Sequence, residues 1–183
     1  TFIRVGSCAA LQPEMKPGDL IIATGALRLT GTVDAYVDKS YPAVADYEVL
    51  SALIQAAEEL GETYHVGLAA SVDSFYAGEV NPMPGGFWQS KMDTVLEDLT
   101  RARVANFEME AATIFTLCQL FGFRGGMICS VGANRVTRER ADSAESIKRC
   151  CAVASRAVVI LAGWDAKKQQ KGKRHFYPAL ASA

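Results

Sequence analysis

Four short stretches of this 183-residue chain combine residue types and spacings that can do chemistry. In Arg4-Val5-Gly6-Ser7 an arginine inside an apolar run meets a Gly-Ser pair. Guanidinium, hydroxyl and backbone N–H donors gathered at one place can hold an anion. The plain alternative is an arginine at a strand end, in a surface ion pair. In Asn106-Phe107-Glu108-Met109-Glu110 two carboxylates sit where an extended run gives way to a helical one. Carboxylates at a helix start ordinarily serve as caps and dipole partners, which accounts for Glu108. Glu110 precedes Ala111, Ala112, Ile114 and Phe115, a helix that reads as buried, and a buried carboxylate needs donors. Sugar hydroxyls are good donors, so a ribose site is one reading of Glu110. In Ser71 to Gly78, the rings of Phe75 and Tyr76 leave an apolar strand before a flexible loop. They can stack on a flat heterocycle or form core at a hinge. Asn134-Arg135 follows a further apolar run and reads as either a site or a solvated turn.

The elements that must position these groups alternate along the chain. Phe2 to Val5 reads as a strand, with Gly6 to Ala10 a small-residue turn after it. Asp19 to Ala23 and Ala26 to Leu29 read as two strands, and Gly31 to Tyr41 as irregular. Val44 to Leu60 has helical spacing, with Val44, Tyr47, Leu50, Leu53, Ile54 and Ala57 on one face and Gly61 as the stop. Tyr64 to Ala70 is a strand, Phe75 to Phe87 a loop, and Lys91 to Val104 a helix entering a short strand. Glu108 to Phe121 is a helix closed by Gly122, and Gly126 to Val131 is a strand covered on both faces. Asp142-Ser143-Ala144-Glu145 has capping-box spacing and opens a helix from about Ser143 to Trp164. Strands alternating with helices imply one layered α/β domain over residues 1–164, with ligands beyond the strand ends. Residues 165–183 follow as a basic tail.

Composition excludes several classes. Half the residues are apolar, enough for one real core, and the net charge of −1 gives no basic excess for nucleic acid. Lys167, Lys168, Lys171, Lys173 and Arg174 form the one basic run. It reads first as solvated, and only secondarily as an RNA or membrane contact. No stretch approaches the roughly 20 apolar residues of a membrane span. The five cysteines have neither disulfide-framework nor CxxC spacing, which fits a reducing, cytoplasmic compartment. With only His65 and His175, no metal site is expected. The sequence shows no signal peptide. It opens in a strand at Thr1-Phe2 with no starting Met, so further residues are expected upstream.

Taken together, these pieces resemble the nucleoside phosphorylases, most closely the uridine phosphorylases. Phe2-Ile3-Arg4-Val5-Gly6-Ser7 is similar to the family's strand and phosphate turn. Pro42 to Glu48 resembles its segment entering a helix. His65 to Tyr76 resembles a Val-Gly-x-x-Ala-Ser-x-Asp-x-Phe-Tyr segment, and Asn106 to Ala111 an Asn-aromatic-Glu-Met-Glu motif. Asn134-Arg135 matches an Asn-Arg pair after the late strand. The resemblance covers nearly the whole chain except its last twenty or so residues. It implies a three-layer α/β/α fold with a mixed central sheet. It also implies phosphorolysis of a nucleoside to free base and ribose 1-phosphate, with inorganic phosphate as co-substrate and no cofactor. By position, Arg4 and Ser7 would bind phosphate, and Glu108, Met109 and Glu110 the ribose, with Arg4 and Glu110 catalytic. Phe75, Glu79, Asn81 and Arg135 would form the base pocket.

The absence of an acid in Val131-Gly132-Ala133-Asn134-Arg135, where purine-specific members place an Asp, points to a pyrimidine. Two departures stand against the pattern. The family reads uracil with a Gln and an Arg where this chain has Glu79 and Asn81, so Gln89 is an alternative donor. The family's N-terminal third, with a glycine loop and a further phosphate-binding arginine, has no counterpart in this sequence. The competing expectations are a purine nucleoside phosphorylase, a nucleosidase, or a non-catalytic paralogue serving as a partner subunit. A homodimer or an assembly of dimers is implied, since a neighbouring subunit lends a phosphate arginine in the family. The apolar Val33, Tyr36, Val37, Tyr41 and Val44 read equally as that interface or as a loop folded over its own core.

Overall fold

The computed structural model describes residues 1–142 and 144–181. Six strands form one mixed sheet: β1 (Phe2–Ala10), β2 (Leu20–Leu29), β3 (Ala43–Val44), β4 (Tyr64–Val72), β5 (Val104–Glu108) and β6 (Gly125–Asn134). Their order is β3-β2-β4-β5-β1-β6, and β6 also pairs with β2, so the sheet curls back on itself. β1 runs parallel to β6 and antiparallel to β5, while β4 is parallel to both β2 and β5. Five helices flank it: α1 (Tyr47–Glu59), α2 (Val95–Arg101), α3 (Ala111–Leu120), α4 (Ala144–Gln170) and α5 (Pro178–Ala181).

Strand alternation sends neighbouring side chains to opposite faces. Leu20, Ile22 and Ile128 pack with α1 and α4, whereas Ile21, Ala23, Met127 and Cys129 pack with α3. A third cluster joins Leu99 of α2 to Phe107, Ala70 and Leu11. Helices on both faces of a mixed sheet make the expected three layers. The closest approach is at Gly126, where an added Cβ would collide with Val49 of α1.

Several boundaries move from their expected places. Gly6 to Ala10 is not a turn: β1 continues through it, paired with Cys129 to Asn134 of β6 across a register shift between Cys8 and Ala9. Small residues are weak strand formers, but pairing and burial override propensity here. The two expected strands after Asp19 are one, with a register shift between Ala23 and Gly25. α1 begins at Tyr47, because Ala43 and Val44 pair with β2 and Asp46 supplies the cap. The Asp46 side chain accepts from Glu48 N at 2.9 Å and Val49 N at 3.1 Å. Its buried face is Val49, Ala52, Leu53, Ala56 and Ala57, so Tyr47 and Val44 stay exposed. The Asp142 side chain accepts from Ala144 N at 3.0 Å before α4, and Ser143 of the expected capping box lies outside the described residues.

The basic stretch after Trp164 is solvated only in part: Lys171, Lys173 and Arg174 are exposed, but the segments around them are packed. α4 runs on to Gln170, and Lys168 is ion-paired with Glu48 and Asp165. Beyond it, Phe176 stacks on Trp164 with centroids 3.8 Å apart, and Leu180 is buried in the same core. The apolar residues of the 33–44 region divide: Val33 is fully buried, while Tyr36 and Val44 remain exposed. No helix among the described residues is long and apolar enough to cross a membrane.

Candidate active site

Arg4 stands on β1 between Ile3 and Val5, which pack toward α1 and α4. Alternation therefore sends Arg4 to the opposite face, where its side chain is 13% exposed. Its Nε donates to Glu110 Oε2 at 2.5 Å and lies 3.2 Å from Glu108 Oε2. Its second guanidinium arm touches the Cys129 sulfur. The group folds back over Gly6, where an added Cβ would lie 3.2 Å from a guanidinium nitrogen. Burial works against the Arg4 charge, but Cys129, Glu108 and Glu110 outweigh it and hold the pKa above the ordinary arginine value.

β5 pairs antiparallel to β1, Ala9 against Phe107, so the chain leaving β5 runs back along β1 toward Arg4. This places both carboxylates beside the guanidinium, with roles divided differently from the expectation. Glu108 ends β5 rather than opening a helix, and it is the buried carboxylate, 2% exposed. It accepts from Ser71 Oγ and from the backbone N–H groups of Glu110 and Ala111, both at 2.8 Å, besides facing Arg4. Those donors occupy its lone pairs and cap the start of α3. Glu110 is the exposed one, with 53% of its side chain accessible and Arg4 as its partner. Its second oxygen remains open to new donors.

The loop after β4 supplies the facing wall. Phe75 and Tyr76 are more than half exposed and meet edge to face at 5.4 Å. Glu79 and Asn81 are both 6% exposed. Between them Val80 holds φ of 50°, a left-handed conformation that strains a β-branched residue. Arg135 binds the loop from behind. It donates to Asn81 Oδ1 at 2.6 Å and to Val80 O at 3.0 Å, and lies 3.9 Å from Glu79. Asn81 in turn donates to Phe75 O at 2.6 Å. Burial pushes the Glu79 carboxyl above its usual range, with Arg135 opposing the rise.

These elements enclose a cleft of about 430 Å³. Arg4, Ser7, Phe75, Glu79, Glu108, Met109 and Glu110 all line it, although they come from three separate parts of the chain. Asn81 and Arg135 do not: each spends its polar atoms on the loop behind the wall. Gln89 is exposed and outside the cleft. With Gly6 inside a strand, the expected phosphate turn reduces to the Arg4 guanidinium and the exposed Ser7 hydroxyl.

Three residues take roles that the sequence did not assign. Ser71, at 0% exposure, bridges Glu108 to Ala112 N at 2.8 Å and so joins β4 to α3. Asn134 uses its amide four times, donating to Gln12 O and Met15 O and accepting from Val136 N and Thr137 N. Its place before Arg135 was the only signal. Arg140 lines the cleft, brought back to it by the turn that Asn134 organises. Nothing in its neighbourhood of the sequence marks it.

The family model described as the phosphorylase superfamily matches residues 1–162. The chain belongs to that superfamily. It is 53% identical over 180 residues to a uridine phosphorylase of Thermococcus kodakarensis, covering 98% of this chain and 64% of that protein. It is 37% identical over 160 residues to the uridine phosphorylase of Escherichia coli, covering 87% of this chain and 63% of that protein. A guanosine phosphorylase of Halorubrum lacusprofundi is 40% identical over 149 residues, covering 80% of this chain and 56% of that protein. The chain thus spans less than two thirds of the length of these relatives, 56% to 64%.

Proposed function

We propose that the full-length protein is a uridine phosphorylase, transferring ribose from uracil to inorganic phosphate without another cofactor. The observation that carries this reading is the meeting of Arg4, Ser7, Phe75 and the half-open Glu110 in one cleft. Arg4 and Ser7 hold the phosphate beneath the sugar. Glu110 accepts from ribose hydroxyls, Met109 packs against the sugar, and Phe75 covers it or the base. Glu108 positions Arg4 and α3.

As the C1′–N1 bond breaks, its electron pair leaves with uracil, which then takes a proton from solvent. The sugar becomes oxocarbenium-like, and a phosphate oxygen held close beneath C1′ stabilises that charge and closes the new C–O bond. Ribose 1-phosphate is the second product. The test is release of uracil from uridine, followed chromatographically with and without phosphate. Release only with phosphate is expected, and equal release in both makes the protein a nucleosidase.

Glu79 favours one second reading. A carboxylate accepts the N1–H of a 6-oxopurine as well as the N3–H of uracil, and a guanosine phosphorylase is among the relatives. Guanosine and inosine in the same assay decide between them. A homodimer, or an assembly of dimers, belongs to the proposal, supported by the exposed Tyr36 and Val44 beside buried Val33. So does a cytoplasmic location, supported by five unpaired cysteines.

A further inference from the structure

Uracil presents one N–H donor between two carbonyl acceptors, so a cleft that reads it needs an acceptor and a donor side by side. Glu79 is the acceptor in the wall. Asn81 offers no free donor: its amide N–H groups go to Phe75 O and to Glu79, and its oxygen accepts from Arg135. Arg135 is committed to the loop, and Arg4 is the group assigned to phosphate.

We propose that Arg140 reads a carbonyl oxygen of the base while Glu79 takes the adjoining N–H. This rests on the pyrimidine nucleoside reading above and adds to it the residue that selects the base.

Arg140 shares the cleft lining with Glu79 and Phe75. Its side chain has no hydrogen bond or ion pair among the described residues, unlike Arg4 and Arg135. Its backbone is nevertheless fixed. It forms an antiparallel bridge with Ala133, and the next residue donates from Ala141 N to Gly132 O at 3.2 Å. Asn134 clamps the turn between, helped by Asn134 N to Glu139 O at 2.9 Å. A free guanidinium on a pinned turn is a donor waiting for an acceptor. Its charge also reaches Arg135, which holds the Glu79 loop from behind. Burial lowers the Arg135 pKa, Glu79 opposes that fall, and Arg140 adds to it. Gly132, Ala133 and Ala141 beside it carry no polar side chain that competes for the base.

The experiment uses the full-length protein with both substrates varied. Arg140→Gln is expected to raise KM for uridine about tenfold, the low end for a charge-assisted hydrogen bond, and to leave KM for phosphate within about twofold. Arg140→Lys keeps the charge and is expected to recover part of the loss. Titration calorimetry with free uracil reads the same contact without turnover, and the glutamine variant is expected to bind more weakly. Unchanged KM for uridine and unchanged uracil affinity overturn the assignment, as does a rise in KM for phosphate alone. A wild-type protein that neither turns over uridine nor binds uracil removes the underlying reading, and the assignment with it.

Discussion

Glu48 on α1 and Glu110 before α3 are both carboxylates facing an arginine, and their surroundings differ in every other respect. Glu48 is 5% exposed in its side chain. It receives Lys168 Nζ at 2.5 Å, Arg124 at 3.0 Å and the backbone N–H of Phe176 at 2.9 Å. Arg124 also donates twice to Asp165, at 2.9 and 2.7 Å. That cluster ties the start of β6, α1, α4 and the last residues into one body. Glu110 has Arg4 alone among the described residues, and half its side chain is exposed. A saturated buried carboxylate serves the fold, and one left half-paired in a cleft keeps acceptor capacity for a ligand.

The sharpest way to break this contrast is to neutralise each carboxylate in turn. Glu48→Gln leaves Lys168 and Arg124 facing an uncharged amide in a confined place. The expected loss is about 3–5 kcal/mol of stability in urea unfolding at neutral pH. A loss below about 1 kcal/mol would put Glu48 on a par with a surface pair. The acid limb gives a second reading. Burial alone would raise the Glu48 pKa, but Lys168, the Phe176 N–H and Arg124 outweigh it and lower the folded value. A depressed carboxylate contributes stability above its unfolded pKa and loses it as pH falls through the folded one. Wild type should therefore steepen in its stability loss below the ordinary glutamate value of 4.5, and the variant should not.

Glu110→Gln tests the other half. Stability should stay within about 0.5 kcal/mol, as for an exposed position. In the full-length protein kcat/KM for the nucleoside should fall about 10- to 150-fold, matching about 1.5–3 kcal/mol for hydrogen bonds to a charged acceptor. Activity within twofold of wild type would reduce Glu110 to a helix-start residue.

Glu79 lies between these extremes, buried like Glu48 yet lining the cleft like Glu110. Burial raises its pKa, so it takes up a proton at a higher pH than a solvated glutamate. A protonated Glu79 accepts poorly from a base N–H. The expected signature is an acid limb in kcat/KM that starts above the usual carboxylate range and is flattened in Glu79→Gln. An identical limb in the variant would assign the titration elsewhere.

The layered α/β class was legible in short-range signals, and the cleft in local stretches that only the resemblance to the nucleoside phosphorylases joined. Periodicity marked the strands, and the order of Arg4, Phe75 and Glu110 along them survives folding. What was hidden depends on distant contacts. Which of Glu108 and Glu110 is buried turns on where β5 ends, and pairing with β1 and β4 decides that. Small residues from Gly6 to Ala10 look like a turn until β6 lies alongside. Lys168 looks solvated until Glu48 arrives from 120 positions away. Arg140 reaches the cleft through a turn that Asn134 holds by contacts with Gln12 and Met15, and no local pattern announces that.

The smallest effect, and the finest test of the contrast, is expected at Gly6. The Arg4 guanidinium rests on it, and a methyl group there would sit 3.2 Å from one nitrogen and 3.4 Å from the central carbon. Those atoms are the far end of a flexible side chain, so a shift of a few tenths of an ångström relieves the contact. No left-handed backbone is involved, and alanine fits the strand. Stability of Gly6→Ala should thus stay near wild type, even with a small gain from a less flexible unfolded chain. The displaced guanidinium is the group assigned to phosphate, so KM for phosphate should rise severalfold with KM for uridine little changed. If Glu108, Glu110 and Cys129 hold Arg4 too firmly for it to shift, the same methyl group costs stability instead. Thermal unfolding beside phosphate-dependent kinetics separates these outcomes. A drop in Tm with unchanged phosphate kinetics would show Arg4 to be structural, and the cleft to be no different in kind from the Glu48 cluster.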